Sequence, residues 1–476
     1  MADEMVRDSE AGKVNQVLRK GINAFSGKHV LLLQGPLGPF FRRLSRDLAA
    51  NGARVRKVNF NGGDWLFYPT GAIQFNGRME DWPTFLTRLL AEQKTDVILM
   101  HGDCRPIHQC VREQAKRLGV ELGVFEEGYV RPDYITLDWG GTNDHSSLPR
   151  AENFYLKSPI KESSAPLTVG RVFWYAALWA GLYYLASSIL KPIFPHYRHH
   201  RRLALREALP WLRGLWRKFY YHIKERNVRH RLLTECSGRF FLVPLQVHND
   251  SQVHTHSSYP SVASFIHEVV ANFAKNADPD TSLVIKHHPM DRAYRDYAQL
   301  CERLAEGYGL QGRLLYVHDV HLPSLLDHTR GVIVVNSTVG FSALQHGVPV
   351  KVCGRAIYDI PTLTYSGRLR DFWAEAPFHK PNPQLLHSFR SYLIEHTQLN
   401  GSVFKRLPLE GSWAGIAWNP SLSLLNALTR KKTSTSRIDI HPELIALSDK
   451  TPDVSVARYI TITQRSSLYR EGERHY

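Results

Sequence analysis

A chain of 476 residues with 43% hydrophobic and 22% charged residues is too long for one compact core and too apolar to be disordered or fibrous, so two α/β domains with additions are expected. Its 60 Lys and Arg against 44 Asp and Glu leave a formal charge of +16, which calls for an anionic partner: nucleic acid, a phospholipid surface or a phosphorylated substrate. The five cysteines, Cys104, Cys110, Cys236, Cys301 and Cys353, are scattered and form no CxxC pair, so they read as reduced thiols rather than a disulfide framework or a zinc site.

Residues 1–27 read as an N-terminal extension. Met1 to Glu10 is acidic and polar and lacks the basic start and apolar centre of a signal peptide, so a cytoplasmic location is expected. A first Rossmann-like domain is expected over residues 28–165. Val30 to Gln34 is a short apolar run that stops at Gly35-Pro36-Leu37-Gly38-Pro39, and Phe40 to Leu48 has helical spacing; together they predict a strand, a tight loop and a helix. Arg54 to Phe60 and Asp96 to Met100 predict further strands, and Glu121 to Phe125 delivers Glu126-Glu127-Gly128-Tyr129 at its carboxyl end. Strands alternating with helices imply a parallel, doubly wound sheet whose ligands gather beyond the strand carboxyl ends.

Residues 166–232 differ from both flanks. Val172 to Leu190 is charge-free and aromatic, with a length at the lower limit for spanning a bilayer. His196 to Arg231 is dense in arginine, interleaved with Trp211, Leu212, Leu215, Trp216, Phe219 and Tyr220, a spacing that predicts an amphipathic basic helix suited to anionic headgroups. A single span would put the two halves of one cleft on opposite sides of a membrane, so peripheral attachment is expected; a buried interdomain helix followed by a solvated charged face is the plainer alternative. No nucleic-acid-binding motif accompanies the basic stretch, and nucleic acid is not expected as a partner.

The strand-helix pattern restarts over residues 233–430, with strands at Arg239 to Pro244, Ser282 to Lys286, Leu314 to Val317, Gly331 to Val335 and Val348 to Val352. The fold class expected is therefore α/β and GT-B-like: two Rossmann-like domains with a cleft between them and an apolar, then basic, helical insertion. Residues 431–476 read as a tail.

Glu126 and Glu127 stand side by side at a strand end. Neighbouring side chains on an extended chain point to opposite faces, so one of the two is expected in the cleft, where it could act as general base or nucleophile at a sugar carbon. Arg131 could hold that acid or grip the carboxylate of an acidic sugar; an ordinary polar loop is the alternative. In Lys286-His287-His288-Pro289, a histidine at a strand end could donate to a phosphate or act as general acid. Asn336-Ser337-Thr338 precedes a helix and reads as an anion site, an N-cap or both. The Gly35 to Gly38 loop has neither Walker nor dinucleotide spacing, which argues against ATP hydrolysis and hydride transfer. His248, Asp250, His254 and His256 lie close together in the chain without zinc spacing, and no metal is expected.

Leu32 to Phe41, Asn59-Phe60-Asn61-Gly62-Gly63-Asp64, Gly102-Asp103-Cys104-Arg105-Pro106, Phe125 to Pro132, Ser146 to Arg150, Val243 to Gln246 and Asp250-Ser251-Gln252, with the His-Pro and Asn-Ser-Thr stretches, resemble the capsule polysaccharide biosynthesis and export proteins of the KpsS/LipB type. The acid pair with glycine, the His-Pro and the Ser-Thr also resemble motifs of bacterial sialyltransferases, which use a CMP donor. The first resemblance implies a β-Kdo transferase that uses CMP-Kdo as donor substrate, needs no further cofactor, retains the anomeric configuration and starts a poly-Kdo linker on a (lyso)phosphatidylglycerol acceptor. It implies an inner-membrane surface and other capsule synthesis or export proteins as partners. By it Glu127, or else Glu126, is the catalytic carboxylate, with His288. Lys286, His288, Pro289, Asn336, Ser337, Thr338 and Gln246 fall on the nucleotide-sugar side, and Gly35, Gly38, Asp103, Arg105 and Arg131 on the acceptor side. Related Kdo transferases more often carry Asp at the second acidic position, so Glu127 departs from the pattern. A sialyl- or polyol-phosphate transferase with a CMP or CDP donor, or a non-catalytic export scaffold, are the competing readings.

Overall fold

The structure is a computed structural model that describes residues 21–158, 165–197 and 208–418. Most of the N-terminal extension, Arg198, Arg201, Arg202 and Arg206 of the basic stretch, and the tail lie outside the described residues.

Two sheets organise the chain. The first takes β1 (His29–Leu32), β2 (Arg54–Asn59), β3 (Ala72–Gln74), β4 (Val97–His101), β5 (Glu121–Glu127) and β6 (Tyr134–Trp139). The second takes β7 (Phe240–Pro244), β8 (Ser282–Lys286), β9 (Leu314–Val317), β10 (Gly331–Val334) and β11 (Val350–Val352), after which β12 (Gln398–Asn400) returns to the first. The strand orders are β12-β6-β5-β4-β1-β2-β3 and β11-β10-β7-β8-β9. In the first sheet β1 to β5 run parallel, while β6 pairs antiparallel with β5 and β12. The second sheet is parallel throughout.

Both are doubly wound Rossmann-like sheets, as the sequence led us to expect. Parallel strands covered by helices on both faces need side chains that are apolar in both directions. Thus Val97 and Leu99 of β4 face one core while Ile98 and Met100 face the other. In β7, Phe240 and Leu242 are likewise separated from Phe241 and Val243. The order of strands reverses between β1 and β4 in the first sheet and between β7 and β10 in the second. Ligands bind outside strand ends at such reversals, and the loops that follow these four strands begin at Leu33, Gly102, Leu245 and Val335. The Gly35–Gly38, Asp103–Arg105, Gln246 and Asn336–Thr338 candidates lie on these loops, and the acid pair and the His-Pro turn lie on the adjacent strands β5 and β8.

Sheet membership changes where the sequence showed no boundary. A second domain running unbroken to residue 430 was expected, yet β12 pairs with β6, and Leu399, Val403, Ala414 and Ile416 fill the core of the first domain. Asp47 anchors the return by accepting from the backbone N–H groups of Trp413 and Ala414.

The insertion lies on the domains rather than between them. The helix Phe173–Ile189 packs on the short helix Gly62–Phe67. Glycines make that approach possible: a Cβ on Gly62 would stand 2.3 Å from the Ala186 carbonyl oxygen, and one on Gly63 2.5 Å from the Tyr183 ring. Ala180, Tyr183 and Ser187 form the buried stripe. The Tyr183 hydroxyl accepts from Asn61 Nδ2 at 2.7 Å and donates to Asp64 Oδ1 at 3.1 Å, and Ser187 Oγ accepts from the Gly63 N–H at 3.0 Å. The opposite face carries exposed Trp174, Leu178, Leu182, Leu185 and Ile189, with Trp174 77% exposed, and Phe173 is exposed at the start of the helix.

The basic helix Ala208–Lys224 leans on the second domain. Arg213 and Arg217 donate to the carbonyls of Ala293 and Arg292, and Tyr221 stacks on His318. Trp216, Phe219, Tyr220 and Ile223 stay exposed. Among the described residues no helix is long and apolar enough to cross a membrane.

Candidate active site at the interdomain cleft

The strand ends of the two sheets meet edge to edge. Asn143 Nδ2 donates to Gln252 Oε1 at 2.9 Å and Gln252 Nε2 to Thr142 Oγ1 at 3.1 Å. Arg150 donates to the Ala356 carbonyl at 2.6 Å, and Asp144 pairs with Arg355 at 2.8 Å.

At the end of β5 the two acids have opposite surroundings, as alternation along a strand requires. Glu127 is 56% exposed and paired with Arg131 at 2.8 Å. Glu126 turns inward, and its Oε2 is shut off from solvent without a hydrogen-bond partner. Burial pushes its carboxyl up to about 8; Arg105 draws it back, while Asp103 and Glu127 push it further up. Space for that carboxyl exists because residue 102 is glycine, at φ +68 with an imagined Cβ 3.3 Å from Glu126 Oε2. Arg105 is held beside it by Gln34 Oε1 at 3.1 Å, the Gly35 carbonyl at 3.2 Å and His101 Nδ1 at 2.9 Å.

Across the cleft, His288 caps the turn Pro289–Asp291 and its Nδ1 accepts from the Met290 N–H at 3.2 Å. Burial lowers its pKa, with Asp291, Asp250 and Glu127 acting in the opposite sense. The neutral ring therefore carries its proton on Nε2, as a donor. Ser337 caps the helix Thr338–Gln345, its Oγ accepting from the Val339 N–H at 3.2 Å, and Thr338 opens the first turn.

The remaining candidates serve the framework. His287 is buried against the Tyr316 hydroxyl at 2.6 Å, and burial pushes its ring down to about 3. Lys286 is buried beside the His318 carbonyl at 3.4 Å, and burial with Arg292 nearby takes its amine down to about 8. Gln246 Nε2 donates to Asn336 Oδ1 at 2.9 Å and Asp250 Oδ2 at 3.0 Å, while Asn336 Nδ2 donates to the Gln252 carbonyl. These amides knit two loops together. Pro289 is exposed and opens the turn that His288 caps. Gly35 and Gly38 make room for Phe41 and for Trp179, whose rings an added Cβ would meet at 2.8 and 2.9 Å. Beside them a small crevice of about 20 Å³ is bordered by Arg42, Lys57, Asp64 and Tyr183; burial takes the Lys57 amine down to about 8 against the pull of Asp64.

Asp103 is buried and gathers residues that sequence reasoning did not group. It accepts from the Thr142 N–H at 3.0 Å, Thr142 Oγ1 at 2.9 Å and the Cys104 thiol at 3.2 Å, and faces His145 Nδ1 at 3.0 Å. These partners hold its carboxyl well below the usual range despite burial. His256 completes the group from the second domain, its ring 4.5 Å from that of His145. Its chain neighbours go elsewhere: His248 bonds to Asp291 at 2.5 Å, and Asp250 caps the helix Ser251–Thr255.

Two Rossmann-like domains, with an acid pair on one strand edge facing a histidine and a Ser-Thr helix cap on the other, define a GT-B-like protein with a polar cleft. The family described as capsule polysaccharide biosynthesis protein matches residues 96–404. The capsule polysaccharide export protein KpsS of Escherichia coli is 44% identical over 386 residues, covering 80% of this chain and 97% of that protein. The capsule polysaccharide modification protein LipB of Neisseria meningitidis serogroup B is 40% identical over 391 residues, 80% of this chain and 93% of LipB. Among solved structures, Thermosulfurimonas dismutans KpsC, a beta Kdo 2,7 transferase, aligns with 85% of this chain and all of its own, at 13% identity and a TM-score of 0.36. The chain belongs to the capsule polysaccharide biosynthesis protein family.

Proposed function

We propose that this protein is a glycosyltransferase that moves Kdo from CMP-Kdo to a (lyso)phosphatidylglycerol acceptor at the inner-membrane surface and so starts the poly-Kdo linker of a capsule. The observation that carries the reading is Glu127 with Arg131 on one strand edge and His288 with the Ser337 cap on the other. The donor phosphate sits against the His288 Nε2–H, the Thr338 hydroxyl and the helix N-terminus, groups that offer donors to an anion. Arg131 exchanges Glu127 for the sugar carboxylate, which its planar fork matches. Glu127, so released, attacks the anomeric carbon, and the bond from that carbon to the phosphate oxygen breaks as CMP leaves with the electron pair; the acceptor hydroxyl oxygen then displaces the carboxylate, which takes the hydroxyl proton as it leaves, and the two inversions retain the configuration. Glu126 beneath it, its carboxyl pushed up to about 8 by burial, stays protonated at neutral pH. Retention of configuration and the absence of a further cofactor belong to the same proposal and rest on the family resemblance.

The exposed apolar faces of Phe173–Ile189 and Ala208–Lys224, with basic neighbours, support attachment to an anionic membrane surface. Arg42, beside the first of these helices, offers a cation to an acceptor headgroup.

The test is mass spectrometry of a fluorescent lyso-phosphatidylglycerol incubated with the protein and CMP-Kdo. A mass gain of one Kdo, absent with Glu127→Gln, supports the proposal. A gain only with CMP-sialic acid or CDP-glycerol assigns a different donor. Because one relative is named an export protein, no gain with any donor moves the reading to a scaffold.

A further inference from the structure

We propose that Asp103, His145 and His256 form a binding site for a divalent transition-metal ion of the zinc class, which clasps the two domains at the floor of the cleft. One ligand atom from each of the three lies within 4.8 Å of the other two. Asp103 Oδ2 and His145 Nδ1 already stand 3.0 Å apart, close to the ligand spacing around an ion with bonds of about 2.0–2.2 Å. One carboxylate and two imidazoles is a donor set that such ions favour, and three protein ligands leave one position open.

Burial separates this cluster from a chance surface grouping. Asp103 is 7% exposed and His256 fully enclosed, and His256 Nδ1 is buried with no hydrogen-bond partner. A buried imidazole nitrogen without a partner is costly, and one nitrogen of this ring lies within 4.8 Å of a ligand atom on each of Asp103 and His145. Thr142 supplies the outer support, fixing both Asp103 oxygens through its N–H and hydroxyl, as groups behind a ligand usually do. Cys104 lies 3.5 Å from His256 Nε2 and donates to Asp103, so it borders the site as a thiol. At the rim, the Asp144 carboxylate neutralises Arg355.

The ligands are divided between the domains. Asp103 follows β4 and His145 follows β6 in the first, whereas His256 ends the helix Ser251–Thr255 in the second. An ion here therefore couples metal binding to closure of the cleft.

The test uses the untagged full-length chain, stripped with a chelator and dialysed against zinc alone, with bound metal measured by elemental analysis. About one ion per chain is expected, with cobalt giving the visible bands of a low-coordinate site. His145→Ala and His256→Ala should each weaken zinc binding at least about 100-fold. Zinc should also slow hydrogen exchange in residues 251–256. His145 is the more exposed of the two, so its variant keeps the test decisive if removing His256 prevents folding. Failure of the wild-type chain to retain zinc at about 10 µM free metal overturns the proposal. Undiminished binding by a folded His145→Ala also overturns it, leaving Asp103 and His145 as a hydrogen-bonded pair that closes the Thr142 loop. None of these measurements uses a sugar donor, so the outcome is separable from that of the transferase assay.

Discussion

The two strand edges that meet in the cleft are built from different chemistry. On the first domain the edge is acidic and partly sealed: Glu126 is enclosed, Asp103 is saturated with donors, and Glu127 is the acid left in the open. On the second domain the edge presents donors, namely His288 with its proton on Nε2 and a helix N-terminus capped by Ser337. On the proposed reading the two Rossmann halves divide the work, one handling the sugar carbon and the acceptor proton and the other the donor phosphate. Lys286 is buried beside the His318 carbonyl, and on the proposed reading a neutral donor set suffices where a helix terminus faces the anion.

The largest break in that comparison should come from Glu127→Gln. Removing the exposed acid should lower kcat by about 100- to 1,000-fold while leaving CMP binding within about threefold of wild type. Single-turnover product formation and a nucleotide titration would read the two separately. Equal loss of both would place Glu127 on the phosphate side and erase the division.

Glu126 sharpens it through stability. A folded-state value of about 8 against an ordinary value of 4.5 means that the folded protein keeps this proton after the unfolded chain has lost it. The contribution is present below pH 4.5 and is lost as pH rises towards 8. Relative to Glu126→Gln, the wild type should lose on the order of 3 kcal/mol over that window. Unfolding midpoints of both chains in urea between pH 5 and 8.5 would show it, and parallel profiles would mean that Glu126 is hydrated.

How much of this was readable beforehand follows from what each feature is made of. The buried strands were legible because parallel strands are apolar on both sides, as Val97 to Met100 are. β12, three residues of Gln, Leu and Asn, has no such signature, so the return of the chain to the first domain stayed hidden. Strand alternation said that one of Glu126 and Glu127 turns inward, while the choice depended on Gly102 leaving room for a carboxyl. His145 was never in view: it meets Asp103 across 42 positions in the chain, a separation that no local spacing rule covers. The charge-free run at Val172 to Leu190 was plain. Its buried stripe of Ala180, Tyr183 and Ser187 was masked by aromatics on every side.

A smaller effect is expected at the donor edge. His288→Ala should raise the KM for CMP-Kdo and lower kcat/KM by about 10- to 50-fold, the value of one hydrogen bond to a charged group. His288→Asn, which keeps a donor, should recover part of the loss. Steady-state kinetics over donor concentration would separate this from Glu127→Gln, which acts on kcat.

The smallest effect belongs to the faces that neither edge uses. The helix Phe173–Ile189 spends Ala180, Tyr183 and Ser187 on its own domain and leaves Trp174 77% exposed, so the side chain is available to an interface without any refolding. Replacing it with alanine removes apolar area worth about 1 kcal/mol when half inserted, or roughly a fivefold weaker partition onto vesicles. Co-sedimentation with vesicles of phosphatidylglycerol and phosphatidylcholine should show that drop, and binding of the wild type should fall with added salt as the basic neighbours are screened. The soluble reaction with a short-chain acceptor should be unchanged in Trp174→Ala, because the residue lies on the helix face opposite the buried stripe of Ala180, Tyr183 and Ser187. If the variant instead lost turnover and kept vesicle binding, the helix would belong to the acceptor site and the attachment surface would have to be the Trp216, Phe219 and Ile223 face of the second domain.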